Sequence, residues 1–237
     1  MRLLKRILLI LFAIVALVAV IGFAYLEFST YEPVGVEDAI KRATDEKDYY
    51  YFRHDDARAN VVFYPGGLVE PEAYAIFAAE LSEIGVNVYV MRMPLNLAIL
   101  RTDAAKKLEG TNDLPFVLAG HSLGGASLSI FLESNAGFAD YLILLASYPA
   151  ASADLSDHEL AVLSLYGTED GVLDMKALKE TEDLLPNDTT YYEISGGNHA
   201  YFANYGKQRG DGSATITPKQ QRETTIGRIE EFLAVLS

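Results

Sequence analysis

The sequence Gly-His-Ser-Leu-Gly-Gly at residues 120–125 lies between two segments of different pattern. Residues 114–119 before it form a short apolar run, as a buried parallel strand does, and residues 126–133 after it carry apolar side chains at helical spacing. A G-x-S-x-G motif in this setting predicts a nucleophile elbow, a sharp turn that lifts the hydroxyl of Ser122 clear of the sheet. The alternative is a glycine-rich turn that happens to contain serine, and partners elsewhere in the chain must decide between the two.

The composition limits the classes of protein that the chain can belong to. It has 237 residues, half of them hydrophobic, which suffices for one substantial core. The net charge is −14, and because residues 1–28 contribute +2, residues 29–237 carry −16. Such an acidic surface argues against nucleic acid as a partner. The absence of cysteine excludes disulfides, thiolate metal ligands and a cysteine nucleophile.

The N-terminal segment has the pattern of a membrane anchor. Residues 1–6 are basic, and Ile7 to Leu26 is a 20-residue run without a charged residue, the length that spans a bilayer as a helix. We expect residues 1–28 to be an uncleaved signal anchor in the cell membrane, with the remaining chain outside the cytoplasm. A cleaved signal peptide, which would release the protein, is the alternative. Residues 29–47 are interpreted as a linker.

The remaining chain, residues 48–237, alternates strands with helices. Apolar strand patterns occur at 48–53, 59–64, 86–91, 114–119, 141–146, 161–166 and 189–195, and helical patterns at 71–84, 96–108, 126–133, 175–184 and 218–236. Strands that are apolar on both faces indicate a parallel sheet covered by helices on both sides. The predicted fold class is therefore α/β, a single domain with a doubly wound, mostly parallel sheet.

A serine nucleophile needs a base to take its proton, and four histidines are available. His54 precedes the serine, His121 is its direct neighbour and must point elsewhere, and His158 comes before the position expected for the acid. His199 follows the last predicted strand in a loop with two glycines, which favours it as the base. The alternative interpretation of His199 is a loop histidine that faces solvent.

The acid of the predicted triad follows the strand that ends at Tyr166. Asp170 lies one loop beyond that strand, where a Ser–acid–His order places the acid, with Glu169 as the fallback. An Asp-Gly pair is also a common turn, but the ordered serine and histidine favour the catalytic interpretation. Asp174 is better explained as a helix N-cap.

Two backbone N–H groups are needed to stabilise an oxyanion. Leu123, the residue after the nucleophile, lies at a helix N-terminus and is expected to supply one. The second should come from the loop after an early strand, for which Gly67 is the first choice and Gly66 or Leu68 the next.

Four motifs carry a resemblance to a known family: YPGG at 64–67, GHSLGG at 120–125, GTEDG at 167–171 and GGNHAYFANYG at 196–206. In this order and spacing they make residues 48–237 resemble an α/β-hydrolase of the compact, capless branch that includes dienelactone-hydrolase-like serine esterases. Dienelactone hydrolases themselves use cysteine where this chain has serine, so that activity is not carried over. Only 14 residues, 147–160, separate two strands where such hydrolases often insert a cap, so we expect an open site.

The resulting hypothesis is a serine hydrolase that cleaves an ester-type acyl bond through Ser122, His199 and Asp170. No metal or organic cofactor is expected. The substrate is a small molecule or an acylated partner whose identity the sequence leaves open, as it leaves the oligomeric state. A peptidase or amidase with the same triad and a surface-anchored, non-catalytic binding protein are the alternatives.

Overall fold

The structure, a computed structural model, describes residues 2–236, apart from the side chains of residues 2–4, 7, 19, 21, 23, 25 and 27. An eight-stranded sheet has the order β1-β2-β4-β3-β5-β6-β7-β8. Its strands are β1 (Thr44–Asp45), β2 (Tyr49–Phe52), β3 (Asn60–Tyr64), β4 (Asn87–Met91), β5 (Phe116–His121), β6 (Tyr141–Leu145), β7 (Ala161–Gly167) and β8 (Thr190–Ile194). The pairs β1–β2 and β2–β4 are antiparallel, and every other pair is parallel. The predicted mostly parallel sheet is confirmed.

Six α-helices accompany the sheet, and short 3-10 turns connect several elements. The helices are α1 (Arg2–Ser29), α2 (Glu37–Ile40), α3 (Ala75–Ser82), α4 (Leu123–Glu133), α5 (Met175–Glu180) and α6 (Pro218–Phe232) among the described residues. The 3-10 turns lie at Pro71–Tyr74, Pro94–Asn96, Ala98–Leu100, Ala104–Leu108, Glu182–Leu184, Ala200–Phe202 and Leu233–Val235.

Both faces of the sheet are buried because successive side chains of each central strand point to opposite faces. In β3, Val61 and Phe63 belong to a core shared with α3 and the end of α6, whereas Val62 and Tyr64 belong to a second core shared with α4. All five residues of β3 are buried. This two-sided burial explains the uninterrupted apolar runs that the sequence shows in the strands.

The helix expected over residues 96–108 is wrong, because three 3-10 turns occupy residues 94–108 instead. Leu95 and Asn96 both have a φ of 53°, which no α-helical residue adopts. The hydroxyl of Tyr64 also donates to the carbonyl of Thr102 at 2.8 Å and accepts from the N–H of Ala105 at 2.7 Å. A tertiary contact thus takes the backbone groups that a continuous helix would have paired.

The structure does not show the membrane-spanning anchor that the sequence predicts for the N-terminal segment. Residues 2–29 form α1, yet among the described residues we find no helix that is both long and apolar enough to cross a membrane. Met1 and several side chains of the expected anchor lie outside the described residues. In the segment interpreted as a linker, Tyr31 forms a parallel β-bridge with Val69.

The sheet brings the loops of the predicted site to one edge. Parallel strands β3, β5, β7 and β8 all end at the same side, so the loops after them converge there. These are the loops that carry Gly67, Ser122, Asp170 and His199. The connection over 147–160 contains no helix and adds no cap above this edge.

Candidate active site

Ser122 lies in a strained turn between β5 and α4, with φ 51° and ψ −121°. Residues other than glycine rarely adopt such a backbone, and surrounding structure must hold it. The neighbouring glycines permit this, because a Cβ at Gly120 would lie 2.5 Å from the amide nitrogen of Gly125. A Cβ at Gly124 would lie 2.1 Å from the carbonyl oxygen of Tyr64. The backbone at Ser122 is therefore a sharp strand-to-helix turn, and the two glycines are needed because backbone atoms approach them too closely for a Cβ.

Asp170 and His199 form a buried pair at the adjacent loops. The carboxylate Oδ2 lies 2.8 Å from Nδ1 of the imidazole, and the two side chains are 0% and 2% exposed. The other carboxylate oxygen accepts the N–H groups of Val172 and Leu173, both at 2.8 Å. An acceptor at Nδ1 fixes the tautomer in which Nδ1 carries a proton and Nε2 is left as the basic nitrogen.

Ser122 and His199 line the same cleft, whose volume is about 250 Å³. The other lining residues are Leu123, Ala126, Ala146, Ser147, Tyr148, Val172, Leu173 and Asp174. The hydroxyl of Ser147 donates to the carbonyl of Ser122 at 2.7 Å and so supports the elbow from the loop after β6. The cleft is small and mostly apolar, with the serine and the histidine as its polar groups of chemical interest.

The backbone of residues 66–68 distinguishes between the three candidates for the second oxyanion donor. The N–H of Gly66 donates to the hydroxyl of Tyr74 at 2.9 Å, and the N–H of Leu68 donates to the carbonyl of Asn96 at 2.7 Å. Among the described residues, the N–H of Gly67 has no acceptor, and neither has that of Leu123. A Cβ on Gly67 would lie 3.0 Å from the side chain of Leu123, so these two residues lie next to each other.

His121 is not among the residues that line the cleft, and it is 1% exposed. The hydroxyl of Tyr74 accepts from the N–H of Gly66 and lies 2.8 Å from Nδ1 of His121. Because this hydroxyl already accepts one N–H, we assign its own proton to the bond with Nδ1. The pKa of His121 lies well below its usual value, mainly because the ring is buried and secondly because His199 is close. The ring of His121 is therefore neutral. Burial also raises the pKa of Tyr74, which stays protonated as the donor.

Asp211, which the sequence reasoning missed, holds the acid loop and the histidine loop together. Its Oδ1 accepts the N–H groups of Gly171 and His199, each at 3.2 Å, and its Oδ2 accepts that of Ala200 at 2.9 Å. One carboxylate thus fixes the backbone beside both members of the Asp170–His199 pair. The Gly-Asp-Gly sequence at 210–212 was the signal available, since an acidic residue between glycines marks a tight turn.

Gln221 on α6 is a second support that the sequence did not reveal. Its side chain is fully buried, accepts the N–H of Asn198 at 2.9 Å and donates to the carbonyl of Asn198 at 2.8 Å. The side chain of Asn198 in turn donates to the carbonyl of Gly212 at 2.9 Å. Gln221 therefore hydrogen-bonds both the N–H and the carbonyl of Asn198, the residue before His199.

The remaining sequence candidates lie elsewhere. Glu169 is exposed and Asp174 accepts the N–H groups of Lys176 and Ala177, which makes it the N-cap of α5. The Nδ1 of His54 accepts the N–H of Asp56 at 3.2 Å, and His158 lies in the loop after β6. Among the described residues, no group of three or more His, Cys, Asp or Glu side chains is placed to hold a metal ion.

Comparison with known proteins assigns the fold to a family. A family model described as "Alpha/beta hydrolase family" matches residues 60–223, most of the sheet and all the loops above. The chain belongs to the alpha/beta hydrolase family, and its short connections agree with the capless form of that fold. No curated protein matches its sequence.

Several solved structures share this fold at low sequence identity. Alpha/beta hydrolase domain-containing protein 10 from mouse is 15% identical over 82% of this chain and 98% of its own, with a TM-score of 0.61. Est2, a thermophilic esterase from the planctomycete Thermogutta terrifontis, is 13% identical over 80% and 87%, with a TM-score of 0.60. Est1E from Butyrivibrio proteoclasticus is 14% identical over 81% and 98%, with a TM-score of 0.58. At these identities the likeness to the solved structures concerns the fold alone.

Proposed function

We propose that the chain is a serine hydrolase that cleaves small carboxylic esters through Ser122, His199 and Asp170. The single observation that carries the proposal is the buried contact between His199 Nδ1 and Asp170 Oδ2, 2.8 Å long, beside the cleft that Ser122 shares. In this arrangement Nε2 of His199 is the base and Asp170 holds the imidazolium that forms. Neither role requires a cofactor.

In the proposed reaction, the hydroxyl oxygen of Ser122 attacks the ester carbonyl carbon while His199 Nε2 takes its proton. The N–H groups of Leu123 and Gly67 stabilise the oxyanion of the tetrahedral intermediate. Collapse of the intermediate breaks the bond to the alkoxide, which leaves with the proton from His199, and an acyl-enzyme remains. Water, deprotonated by His199, then attacks the acyl carbon, and the carboxylic acid is released as Ser122 regains its proton.

The size of the cleft favours short acyl groups. Its volume of about 250 Å³ falls below the range of about 300–1,000 Å³ that is typical of pockets for drug-sized ligands. Small side chains, Ala126 and Ala146, contribute to its lining. The solved neighbour Est2 has been described with butyrate bound and phosphoramylated by tabun, which supports a short-chain ester as the first substrate to test.

Hydrolysis of p-nitrophenyl acetate, butyrate and decanoate by the full chain tests this function, with matched anilides and peptides in parallel. We expect the two short esters to be hydrolysed and Ser122→Ala to be inactive. Turnover of anilides or peptides at rates equal to the esters would instead favour the peptidase or amidase alternative. No hydrolysis above background by the wild-type chain would support the non-catalytic binding alternative, and hydrolysis by Ser122→Ala at the wild-type rate would exclude Ser122 as the nucleophile.

We further propose that the N-terminal segment keeps the catalytic domain at the outer side of the cell membrane. The uncharged run Ile7 to Leu26 after three basic residues supports this placement. Carbonate extraction of membranes and protease treatment of intact cells test it. The domain should remain with the membrane and be digested from outside; release into the medium would favour the secreted alternative, and full protection would contradict both.

A further inference from the structure

The segment directly after α1 is hydrogen-bonded to the loop that carries Gly67. We call residues 30–34 the strap and residues 66–70 the oxyanion loop. The N–H of Tyr31 donates to the carbonyl of Leu68 at 2.7 Å, and the carbonyl of Tyr31 accepts the N–H of Glu70 at 3.1 Å. These two backbone bonds make the parallel bridge between Tyr31 and Val69. Tyr31 in the strap is therefore paired with the oxyanion loop as a residue of a neighbouring parallel strand would be.

Leu68 is the residue on which this contact acts most directly. Its φ is 59°, a left-handed backbone that a leucine adopts only when neighbouring structure holds it. Its N–H donates to Asn96 and its carbonyl accepts from Tyr31, so both of its backbone groups are held by segments distant in sequence. The bond to Asn96 fixes the peptide plane that joins Gly67 to Leu68, and the bond from Tyr31 fixes the next plane, which joins Leu68 to Val69.

The strap also contacts the segment that follows His199. The ring of Tyr31 packs against that of Tyr205, with centroids 5.1 Å apart, and the N–H of Val34 donates to the carbonyl of Asn204 at 2.7 Å. One short segment therefore connects the oxyanion loop with the loop that carries the base. A displacement of the strap would therefore move both the oxyanion loop and the loop that carries His199.

We propose that Tyr31 is a positioning residue of the active site, which holds the oxyanion loop in its catalytic conformation through its main-chain N–H. The proposal rests on the proposed function, since the orientation of Gly67 affects a rate only if its N–H stabilises an oxyanion. It also makes the chain between α1 and the sheet part of the catalytic unit. Tyr31 does not touch the substrate and acts through Leu68.

Kinetics of full-length Tyr31→Pro test the proposal, because proline lacks the N–H that reaches Leu68. The matched control is Glu32→Pro, since the N–H of Glu32 has no acceptor among the described residues. Tyr31→Ala keeps both backbone bonds and removes only the ring. We expect kcat for p-nitrophenyl butyrate to fall about tenfold or more in Tyr31→Pro with little change in KM, against about 10²–10³ for outright loss of an oxyanion donor. Glu32→Pro should stay within about threefold of wild type, and Tyr31→Ala should keep a higher kcat than Tyr31→Pro because it retains both backbone bonds.

The outcomes separate failure of the inference from failure of the proposed function. Equal kcat in folded Tyr31→Pro and Glu32→Pro, while Ser122→Ala is inactive, would overturn the role of the strap alone. Activity in Ser122→Ala would overturn the proposed function, whatever the proline variants show. Circular dichroism and the melting temperature report whether each variant is folded.

A measurement on the wild-type chain decides the matter if Tyr31→Pro does not fold. Reaction of Ser122 with a fluorophosphonate places an oxygen where the oxyanion would lie and should order the oxyanion loop. Hydrogen exchange followed by mass spectrometry should then slow in residues 66–70 and in residues 29–34 together. Slowing in residues 66–70 with unchanged exchange in residues 29–34 would contradict the coupling.

Discussion

The imidazole rings of His121 and His199 pack against each other, with centroids 4.6 Å apart. One ring belongs to the proposed catalytic pair and the other to the elbow that presents Ser122. His121 stays neutral because its pKa is lowered by burial, so no second positive charge lies beside the imidazolium that His199 forms during catalysis. The neighbouring Tyr74 hydroxyl fixes the tautomer of His121 and supports the oxyanion loop at Gly66.

The lowered pKa of His121 predicts how stability depends on pH. Between the folded pKa and the unfolded value of about 6.5, the unfolded chain binds one more proton at this site, so the free energy of unfolding falls as pH decreases. The groups facing His121 are Tyr74, protonated throughout, and His199. In His121→Asn, whose amide oxygen can accept from Tyr74, the slope should be smaller by up to roughly 1.4 kcal/mol per pH unit. Urea unfolding at pH 7, 6 and 5 measures both slopes, and equal slopes would contradict the assignment.

Removal of the Tyr74 hydroxyl should weaken both the fold and the reaction. In Tyr74→Phe, the N–H of Gly66 and Nδ1 of His121 lose their partner in a buried site, which costs about 1–3 kcal/mol of stability. We expect kcat to fall several-fold as the oxyanion loop relaxes. Tyr141→Phe is the control, because the ring of Tyr141 packs against Phe232 and its hydroxyl makes no hydrogen bond among the described residues. An unchanged kcat and melting temperature in Tyr74→Phe would show that this hydroxyl does not support the loop.

Asp211 should be needed for catalysis although it lies outside the cleft. In Asp211→Asn, an amide N–H₂ would face at least one of the backbone N–H groups that the carboxylate now accepts, so the loop with His199 should shift. We predict a loss of about tenfold or more in kcat, with the 10²–10⁴-fold that general base catalysis contributes as the upper bound. The exposed Asp188→Asn serves as the control. A wild-type kcat in Asp211→Asn would show that Asp211 is not needed to position His199.

Two glycine substitutions, one in the elbow and one in α6, should change the stability of the chain in opposite directions. Gly124→Ala would place a Cβ 2.1 Å from the carbonyl oxygen of Tyr64, so it should destabilise the fold and abolish activity. Gly227→Ala lies inside α6, where nothing is within 4 Å of the added Cβ, and should stabilise the chain by about 0.5–1 kcal/mol. Thermal unfolding of both variants checks the prediction, which a stable and active Gly124→Ala would refute.

The strands and the loops of the site could be predicted because their signals are local. Apolar runs marked the strands, and the G-x-S-x-G motif around Ser122 marked a sharp turn. Asp211 and Gln221 act through backbone groups of residues distant in sequence. The glycines at 210 and 212 mark a turn, but no local pattern reports which backbone groups Asp211 or Gln221 contacts. The helix expected at 96–108 failed for the same reason, since the Tyr64 hydroxyl takes two of its backbone groups. The contact of Tyr31 with Leu68 was likewise invisible in a segment that reads as a linker.

The central claim is that Ser122 is a nucleophile activated by His199. Incubation of the full chain with a fluorophosphonate, followed by peptide mass spectrometry, tests it most directly. The account predicts one adduct per chain, located on Ser122, formed at a rate that drops sharply in His199→Gln, with no adduct in Ser122→Ala. An adduct on another residue, or equal labelling of wild type and Ser122→Ala, would contradict it.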